Sequence, residues 1–368
     1  MAVIVVEGFD HYSAQADFQA RTGALQWNNV YQGFGGFTTG RGGYGQALVV
    51  NNPNPYTAII GGSFWDNYGS IYIGTAINVI PTNATYFDVQ FMDYVNQVVQ
   101  LNLRFYTNSG SVVAYAGDPN NSNLPYAQVA ASPANVFNPY VWNYFEFGVV
   151  PSTSGSFNVQ VNGVSVFAAS GIRTVGYVIS PATTNNWING IQYNFHNAAG
   201  GYSSLAYMDD FYLCDSTTGA GTYPCNTFLG DVAVRAIYAT GNSSVTWTPL
   251  ANANWQEISH AAFPGDSSYN SASSVGNADL FTFGSLPADA SVVFYLQAIG
   301  AFRKLDAGPQ TIVQTIKSGT GTFTSATPHV LSLGYTWLVD GTPVDPNISG
   351  SWTPTSVNAV LAGYKLNS

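Results

Sequence analysis

Short runs of alternating apolar and polar residues make up most of this chain and are separated by turn residues. The clearest pattern surrounds Asn162-Gly163, where the alternating run Phe157–Val161 ends. An Asn-Gly pair beside such a run predicts a tight β-hairpin. Because similar runs recur at intervals of roughly ten residues, the pattern predicts a β-sandwich. In the first part of the chain the predicted strands are 3–7, 46–50, 57–61, 70–79, 86–94, 98–107, 112–116, 140–149, 156–161, 173–180 and 205–213.

A second series of strands follows a polar, glycine-rich stretch at 215–222. Apolar residues at 232, 234 and 236 alternate with polar or small ones, which predicts that a new strand begins there. We therefore expect one domain at 1–215, a linker at 216–227 and a second domain at 228–368. In the second domain the predicted strands are 232–238, 279–283, 292–300, 310–317, 331–337 and 357–364.

The composition supports the same fold class. Only 8% of the residues are charged, whereas 46% are hydrophobic and 15% aromatic, which is enough to build a large core. The many turn formers, including 38 glycines and 18 prolines, are typical of proteins with many short strands. We expect an all-β protein with two antiparallel β-sandwich domains of the jelly-roll or concanavalin-like type.

The charge pattern argues against two classes of partner. The net charge is −10, and the basic residues are scattered, with only Arg303-Lys304 adjacent. No basic stripe could neutralise phosphates, so we expect neither nucleic-acid binding nor attachment to an anionic membrane. No apolar run approaches the length of a membrane-spanning helix. The apolar start, Met1–Val6, lacks a basic region and predicts a buried strand rather than a secretory signal.

Three motifs in the first domain resemble the laminin-G and concanavalin-like lectin family. They are the aromatic strand Trp142–Glu146, the Val161-Asn162-Gly163 turn and the late strand Tyr207–Leu213, and the stretch from Arg41 to Leu48 resembles an entry strand of that family. The resemblance implies a sandwich that binds or packs rather than catalyses. It also implies that the glycine-rich stretch 33–45 is a loop entering the strand at 46–50, since no phosphate-loop Gly-Lys-Ser/Thr is present.

The second half resembles a region of tailed-bacteriophage virion proteins. The matching motifs are Phe228–Val232, Asp266 with Tyr269, Gly276 with Asp279–Phe281, and Ser351–Thr353 followed by Val357-Asn358. The resemblance implies a virion structural protein, made in the host cytoplasm, that contacts capsid, portal or tail proteins. In that reducing compartment Cys214 and Cys225 are expected to be thiols, although their spacing would also permit a small disulfide loop.

The sequence offers no catalytic constellation. The chain has three glutamates, and Glu7 and Asp10 are separated by an odd offset that places them on opposite faces of a strand. For the same reason Asp209 and Asp210 cannot act as a pair, and we expect one to have a structural role and the other to be solvated, with calcium binding as the alternative. We therefore predict no enzyme, no catalytic residues, no metal and no cofactor.

Two aromatic loops are candidates for contact with a sugar. Phe64–Tyr68 and Thr184–Asn189 combine aromatic rings with Asn and Asp, the residue types that surround bound saccharides. Trp65, Tyr68 and Trp187 are therefore candidate ligand-binding residues, with subunit contact as the other interpretation.

Two functions follow from these features. The leading hypothesis is a non-enzymatic virion structural protein on the outside of the particle, either in the tail or fibre or as a capsid decoration. The alternative is a carbohydrate-binding adhesin that recognises host-surface glycans. The first domain contains no lysine to protect its sheet edges, so we also expect a homo-oligomer, either a trimer by analogy with phage fibres or a subunit that is stable only on the particle.

Overall fold

The computed structural model describes residues 3–19, 25–31, 33–52, 58–81, 86–121, 125–177, 185–196, 204–215 and 227–368. Contacts divide the chain into two compact units. Unit 1 comprises Met1–Phe9 and Ala24–Val234, and unit 2 comprises Asp10–Gly23 and Arg235–Ser368. Because most of the predicted linker at 216–227 lies outside the described residues, its position stays a prediction.

Unit 1 consists of two large antiparallel sheets. Its strands are β1 (Val3–Glu7), β2 (Leu25–Tyr31), β3 (Phe34–Thr39), β4 (Gln46–Asn52), β5 (Ala58–Tyr68), β6 (Ile71–Ile80), β7 (Tyr86–Asp93), β8 (Val98–Tyr106), β9 (Ser111–Ala116), β10 (Ala127–Ala131), β11 (Trp142–Val150), β12 (Gly155–Val161), β13 (Val164–Ile172), β14 (Ile188–Phe195) and β15 (Ser204–Asp215). An eight-stranded sheet has the order β13-β12-β11-β6-β15-β4-β3, with β1 also paired to β15. A seven-stranded sheet has the order β10-β9-β8-β7-β14-β5-β2.

Phenylalanine rings pack between the two sheets of unit 1. Phe87 and Phe105 of the seven-stranded sheet stack at 4.7 Å between ring centroids, and Phe145 of the eight-stranded sheet meets Phe105 edge-to-face at 5.2 Å. Phe91 and Phe147 make a second contact across the sheets at 5.9 Å. These rings are fully buried, and their burial is the main favourable term for the sandwich. The predicted all-β sandwich fold is therefore confirmed.

Unit 2 is also built of antiparallel strands. Its strands are β16 (Ala239–Ser244), β17 (Thr248–Pro249), β18 (Asn270–Ser271), β19 (Ala278–Phe283), β20 (Leu296–Phe302), β21 (Thr311–Ser318), β22 (Gly321–Thr324), β23 (His329–Val330), β24 (Thr336–Thr342), β25 (Val344–Asp345), β26 (Gly350–Ser351) and β27 (Leu361–Leu366). Its short helices are α1 (Gln15–Gln19), α2 (Asn254–Ile258) and α3 (Pro354–Val357). A six-stranded sheet, β16-β19-β27-β21-β22 with β23 beside β21, covers a core around Phe281, Ile312 and Leu338. Among the described residues, no helix is long and apolar enough to cross a membrane.

Several sequence-based strand predictions in unit 1 need correction. Of the strand predicted at 173–180, residues 173–177 are not in a strand and 178–180 lie outside the described residues. The strand that pairs with β12 directly after the Asn162-Gly163 turn is β13. Among the described strands of unit 1, five were missed, namely β2, β3, β10, β13 and β14. The stretch 33–45 is not a loop throughout, since Phe34–Thr39 pairs with β4. Its two phenylalanines, Phe34 and Phe37, contact each other edge-to-face at 5.3 Å.

The strand predicted at 232–238 is absent. Two backbone N–H groups of this segment donate hydrogen bonds to carboxylates rather than to a neighbouring strand. In unit 1, the Val234 N–H donates to Asp210 at 2.7 Å, and in unit 2 the Ala236 N–H donates to Asp10 at 3.0 Å. Buried backbone groups must be paired, and these side chains replace a sheet ladder.

Asp209 and Asp210 are both buried, so the prediction that one is solvated was wrong. The register of β15 against β6 shifts between Asp209 and Tyr212, and Asp210 has a φ of 52°. This bulge rotates both carboxylates into the protein. Asp210 accepts a hydrogen bond from Arg41 Nε at 2.7 Å, and Asp209 accepts one from the Arg41 N–H at 2.8 Å.

Gly74 is a position where the packing of unit 1 can be tested. A Cβ at Gly74 would lie 2.0 Å from the ring of Tyr212, whose hydroxyl donates to Glu146. We expect Gly74→Ala to lower the free energy of unfolding by about 1–3 kcal/mol because the buried ring must move. Gly69→Ala is the matched control, since nothing lies within 4 Å of its Cβ. Urea denaturation of both variants measures the difference, and equal midpoints would contradict this packing.

Candidate functional site

The outer face of the seven-stranded sheet carries two rows of polar side chains across three neighbouring strands. Alternation along β7, β8 and β14 turns Phe87, Phe105 and similar residues inward and turns these polar residues outward. One row is Arg104, Asp88 and Asn194, and the other is Asn102, Gln90 and Gln192. We call these six residues the polar face. All six are 9% exposed or less and form the floor of the site.

Asp88 is the centre of the polar face. Its carboxylate accepts two hydrogen bonds from Arg104, from Nε at 2.8 Å and from Nη2 at 2.9 Å. It also accepts one from Asn120 Nδ2 at 2.8 Å and lies 2.9 Å from His196 Nε2. A single fully buried carboxylate therefore fixes the directions of a guanidinium, an amide and an imidazole.

The electrostatics of Asp88 follow from these contacts. Burial by itself would raise the pKa of the carboxyl, but the hydrogen bonds from His196 and Arg104, together with their charges, lower it to about 2. Asp88 is thus ionised at neutral pH, and its charge compensates that of Arg104. An ionised Asp88 can only accept in this pair, so His196 Nε2 is the donor.

Aromatic rings border the polar face. The Arg104 guanidinium carbon lies 3.9 Å from the centroid of Tyr86, and Tyr86 lies 4.5 Å from the ring of His196. Tyr106 and Tyr115 lie further along this edge, and burial raises the pKa of Tyr115 to about 12. On the other side, Gly190 leaves room for the ring of Tyr94, because a Cβ there would lie 2.1 Å from it.

The floor also contains an unused acceptor. Asn102 donates to Asp88 through Nδ2 at 3.2 Å, while its buried Oδ1 has no hydrogen-bond partner among the described residues. Buried polar atoms without partners are uncommon and often mark a place for a ligand or an ordered water. Within the described residues, no cluster of three or more His, Cys, Asp or Glu side chains could hold a metal ion.

The two stretches predicted as aromatic loops lie together beside the polar face, although Phe64–Tyr68 belongs to strand β5 and the second stretch runs into strand β14. Gln100 lies two residues before Asn102 on β8, and its Nε2 donates to the carbonyl oxygen of Trp187 at 3.1 Å. Asn189 Nδ2 donates to Asn67 at 3.0 Å and so joins the two loops. Trp187 is half-buried.

The other predicted site residues differ in accessibility. Tyr68 is buried, its ring contacts Phe64 edge-to-face at 6.0 Å, and burial raises its pKa, so it offers little surface to a ligand. The side chain of Trp65 lies outside the described part of the chain. The role of Trp65, Tyr68 and Trp187 in ligand binding therefore stays a prediction.

Sequence reasoning missed the polar face, although a signal was present. Ile191-Gln192-Tyr193-Asn194-Phe195 alternates as clearly as any strand in the chain. Had β14 been predicted, Gln192 and Asn194 would have marked an outward polar stripe. Nothing in the sequence indicates that β14 lies beside β7, which is the pairing that assembles the two rows.

Comparisons with known proteins give structural matches alone. No family model matches the chain, and no curated protein matches its sequence. The chain is similar to an endo-β-1,4-glucuronan lyase from the fungus Trichoderma reesei, with 10% identity, a TM-score of 0.39 and coverage of 58% of this chain and 95% of that one. It is similar to the alginate lyase Aly36B, with 12% identity, a TM-score of 0.30 and coverage of 51% and 93%. A protein of unknown function with a galectin-like fold from Bacillus subtilis matches with 10% identity, a TM-score of 0.37 and coverage of 58% and 96%.

These matches contradict the prediction about enzymatic activity and do not test the resemblance to phage proteins. The prediction that the chain is not an enzyme is contradicted, because two of these matches are enzymes. At these identities and TM-scores the similarity assigns no activity to this chain. None of the three is described as a virion protein, and the resemblance to phage proteins stays a prediction.

Asp88 provides a test of the site through its pKa. A carboxyl whose pKa is lowered on folding stabilises the protein above its unfolded pKa, near 4, and this stabilisation is lost as the pH falls towards 2. Asp88→Asn leaves Arg104 without its ionic partner, so we expect a loss of about 3–5 kcal/mol at pH 7. We also expect a smaller loss of stability between pH 4 and 2 than in the wild type.

Urea denaturation across this pH range measures both effects. Asp289→Asn, at an exposed aspartate of unit 2, is the matched control and should retain the wild-type pH profile. A profile for Asp88→Asn parallel to that of the wild type would show that the Asp88 contacts do not stabilise the fold.

Proposed function

We propose that the chain binds a saccharide at the polar face of the seven-stranded sheet. The observation that carries this proposal is the orientation of Arg104, Asn120 and His196 by the single carboxylate of Asp88. Saccharide sites need donors and acceptors in fixed directions, together with flat apolar surfaces for the ring. Here the oriented groups lie beside Tyr86, and Asp88 and Arg104 are held on the adjacent strands β7 and β8.

The accessible groups of the site are on its rim. Asn120 is exposed, while Tyr86, His196 and Tyr115 are half-buried, so a ligand meets these residues before the floor. The unused Oδ1 of Asn102 lies below them and can accept a hydrogen bond from a hydroxyl group. Because Asp88 compensates the charge of Arg104, the site is better suited to hydroxyl groups than to a densely anionic ligand.

Binding can be tested with an array of neutral and acidic oligosaccharides, followed by calorimetry with the strongest binder. We expect Tyr86→Ala combined with Asn120→Ala to weaken binding about tenfold or more, because an aromatic contact and a hydrogen bond are lost together. Tyr44→Ala, at a 55% exposed tyrosine between β3 and β4 of the other sheet, is the matched control and should bind as the wild type does.

A second pair of variants distinguishes this site from the aromatic loops. If Trp65→Ala with Trp187→Ala abolishes binding while the Tyr86 and Asn120 variant binds normally, the saccharide lies on the loops and the proposal is wrong. Absence of binding to every oligosaccharide on the array would also overturn it.

Cleavage of the bound saccharide is a second candidate function. It is favoured by His196, because its imidazole lies 2.9 Å from the buried carboxylate of Asp88 on the rim of the polar face, and a histidine paired with a carboxylate is a common general base. We expect the wild type to release reducing ends from a polysaccharide that it binds. His196→Gln retains a donor towards Asp88 and removes the base, and it should abolish release while binding persists. Equal release by both proteins would exclude His196 as the base.

The location of the protein on a virion is a separate proposal. A saccharide-binding protein on the outside of a virion would recognise glycans on the host surface, and it would contact other virion proteins and further copies of itself. This placement is supported by the resemblance of the second half to phage virion proteins. Neighbouring genes for portal, capsid or tail proteins would support it, and genes for polysaccharide metabolism would argue against it.

A further inference from the structure

A pocket lies on the opposite sheet of unit 1, away from the polar face. Its volume is about 350 Å³, which is within the size range of small-molecule sites. Four adjacent strands, β6, β11, β12 and β13, form its floor through two rows of residues in register. The rows are Tyr72, Gly148, Asn158 and Ala168, and Val150, Ser156 and Ser170, with Ser70 directly before β6.

Two aromatic rings close one end of the pocket. Tyr72 and Phe228 meet edge-to-face with their centroids 4.9 Å apart. Both rings reach down to Gly148, where a Cβ would lie 2.6 Å from Tyr72 and 3.3 Å from Phe228. The glycine is therefore needed for the rings to approach the sheet, and both rings remain half-buried.

Phe228 is held in place by the residues that follow it. The Gly230 N–H donates to Glu146 Oε1 at 2.8 Å, and the Leu229 N–H donates to the Tyr212 hydroxyl at 3.2 Å. Tyr212 donates in turn to Glu146 at 2.5 Å. Glu146 lies two residues before Gly148 on β11. The same strand therefore contributes Gly148 to the floor of the pocket and holds the segment that carries Phe228. A wall that is ordered before binding reduces the entropy cost of binding.

The polar groups of the pocket are hydroxyls and one amide. Asn158 Oδ1 accepts a hydrogen bond from Ser165 at 2.8 Å, which leaves its Nδ2 as a donor. Ser156 and Ser170 make no side-chain hydrogen bonds among the described residues and line the same floor. No lining residue is charged. A phosphate or a carboxylate would find no cation here, whereas a neutral ring with hydroxyl groups would find aromatic carbon and hydrogen-bonding groups together.

We propose that this pocket is a second binding site that takes a single neutral hexopyranose residue. The proposal is independent of the saccharide site at the polar face, because the two sites lie on different sheets and share no residue. Either site can therefore be removed while the other is measured.

Saturation-transfer NMR with D-glucose, D-galactose and D-mannose tests the proposal. The measurements use the Tyr86→Ala, Asn120→Ala protein, in which the polar face is impaired. We expect saturation transfer to at least one sugar, its loss in Ala168→Trp, which fills the pocket, and a reduction of several-fold in Phe228→Ala, which removes a wall.

The controls use an exposed position on the same strand. Val164, which is 63% exposed, lies on β13 outside the pocket, so Val164→Trp should retain the signal. Ala168 is also exposed, and Ala168→Trp should fold as Val164→Trp does, which circular dichroism would show. No transfer to any of the three sugars, or equal transfer in Ala168→Trp and Val164→Trp, would overturn the proposal.

Discussion

Buried carboxylates hold the parts of this protein that sheet hydrogen bonds do not reach. In unit 1, Asp88 orients the side chains of the polar face, and Glu146 and Asp210 bind backbone amides of the segment 229–234. In unit 2, Asp279 accepts hydrogen bonds from the N–H groups of Thr246 and Trp247. Each acid accepts several donors, which offsets the cost of burying its charge.

This use of carboxylates explains the unusual composition of the chain. All three glutamates, Glu7, Glu146 and Glu257, are buried, as are many aspartates. Acidic residues that accept hydrogen bonds inside the protein are not exposed to solvent. The polar surface of the protein is therefore formed mainly by neutral polar side chains. Several of these acids, namely Glu146, Asp279 and Glu257, accept hydrogen bonds from backbone N–H groups.

The sequence predicted the sandwich well where strands are adjacent in the chain and poorly elsewhere. The turn at Asn162-Gly163 and the strand before it were predicted correctly because the turn residues and the alternation are local, whereas the returning strand β13 was not predicted. The two rows of the polar face depend on the pairing of β14 with β7, which are about a hundred residues apart, and no local pattern encodes that pairing. Asp209 and Asp210 were misjudged for a related reason, since regular alternation fails at a β-bulge.

The outer faces of the two sheets in unit 1 are covered by different kinds of side chain. Each sheet buries one face against the phenylalanine core, and alternation then directs the other residues outward. On the seven-stranded sheet these residues are polar and satisfy one another around Asp88. On the eight-stranded sheet the glycines Gly74 and Gly148 admit Tyr212, Tyr72 and Phe228, so aromatic rings cover part of the face. Both arrangements place fixed hydrogen-bonding groups beside aromatic carbon, and this combination makes each face a candidate for recognition of sugars.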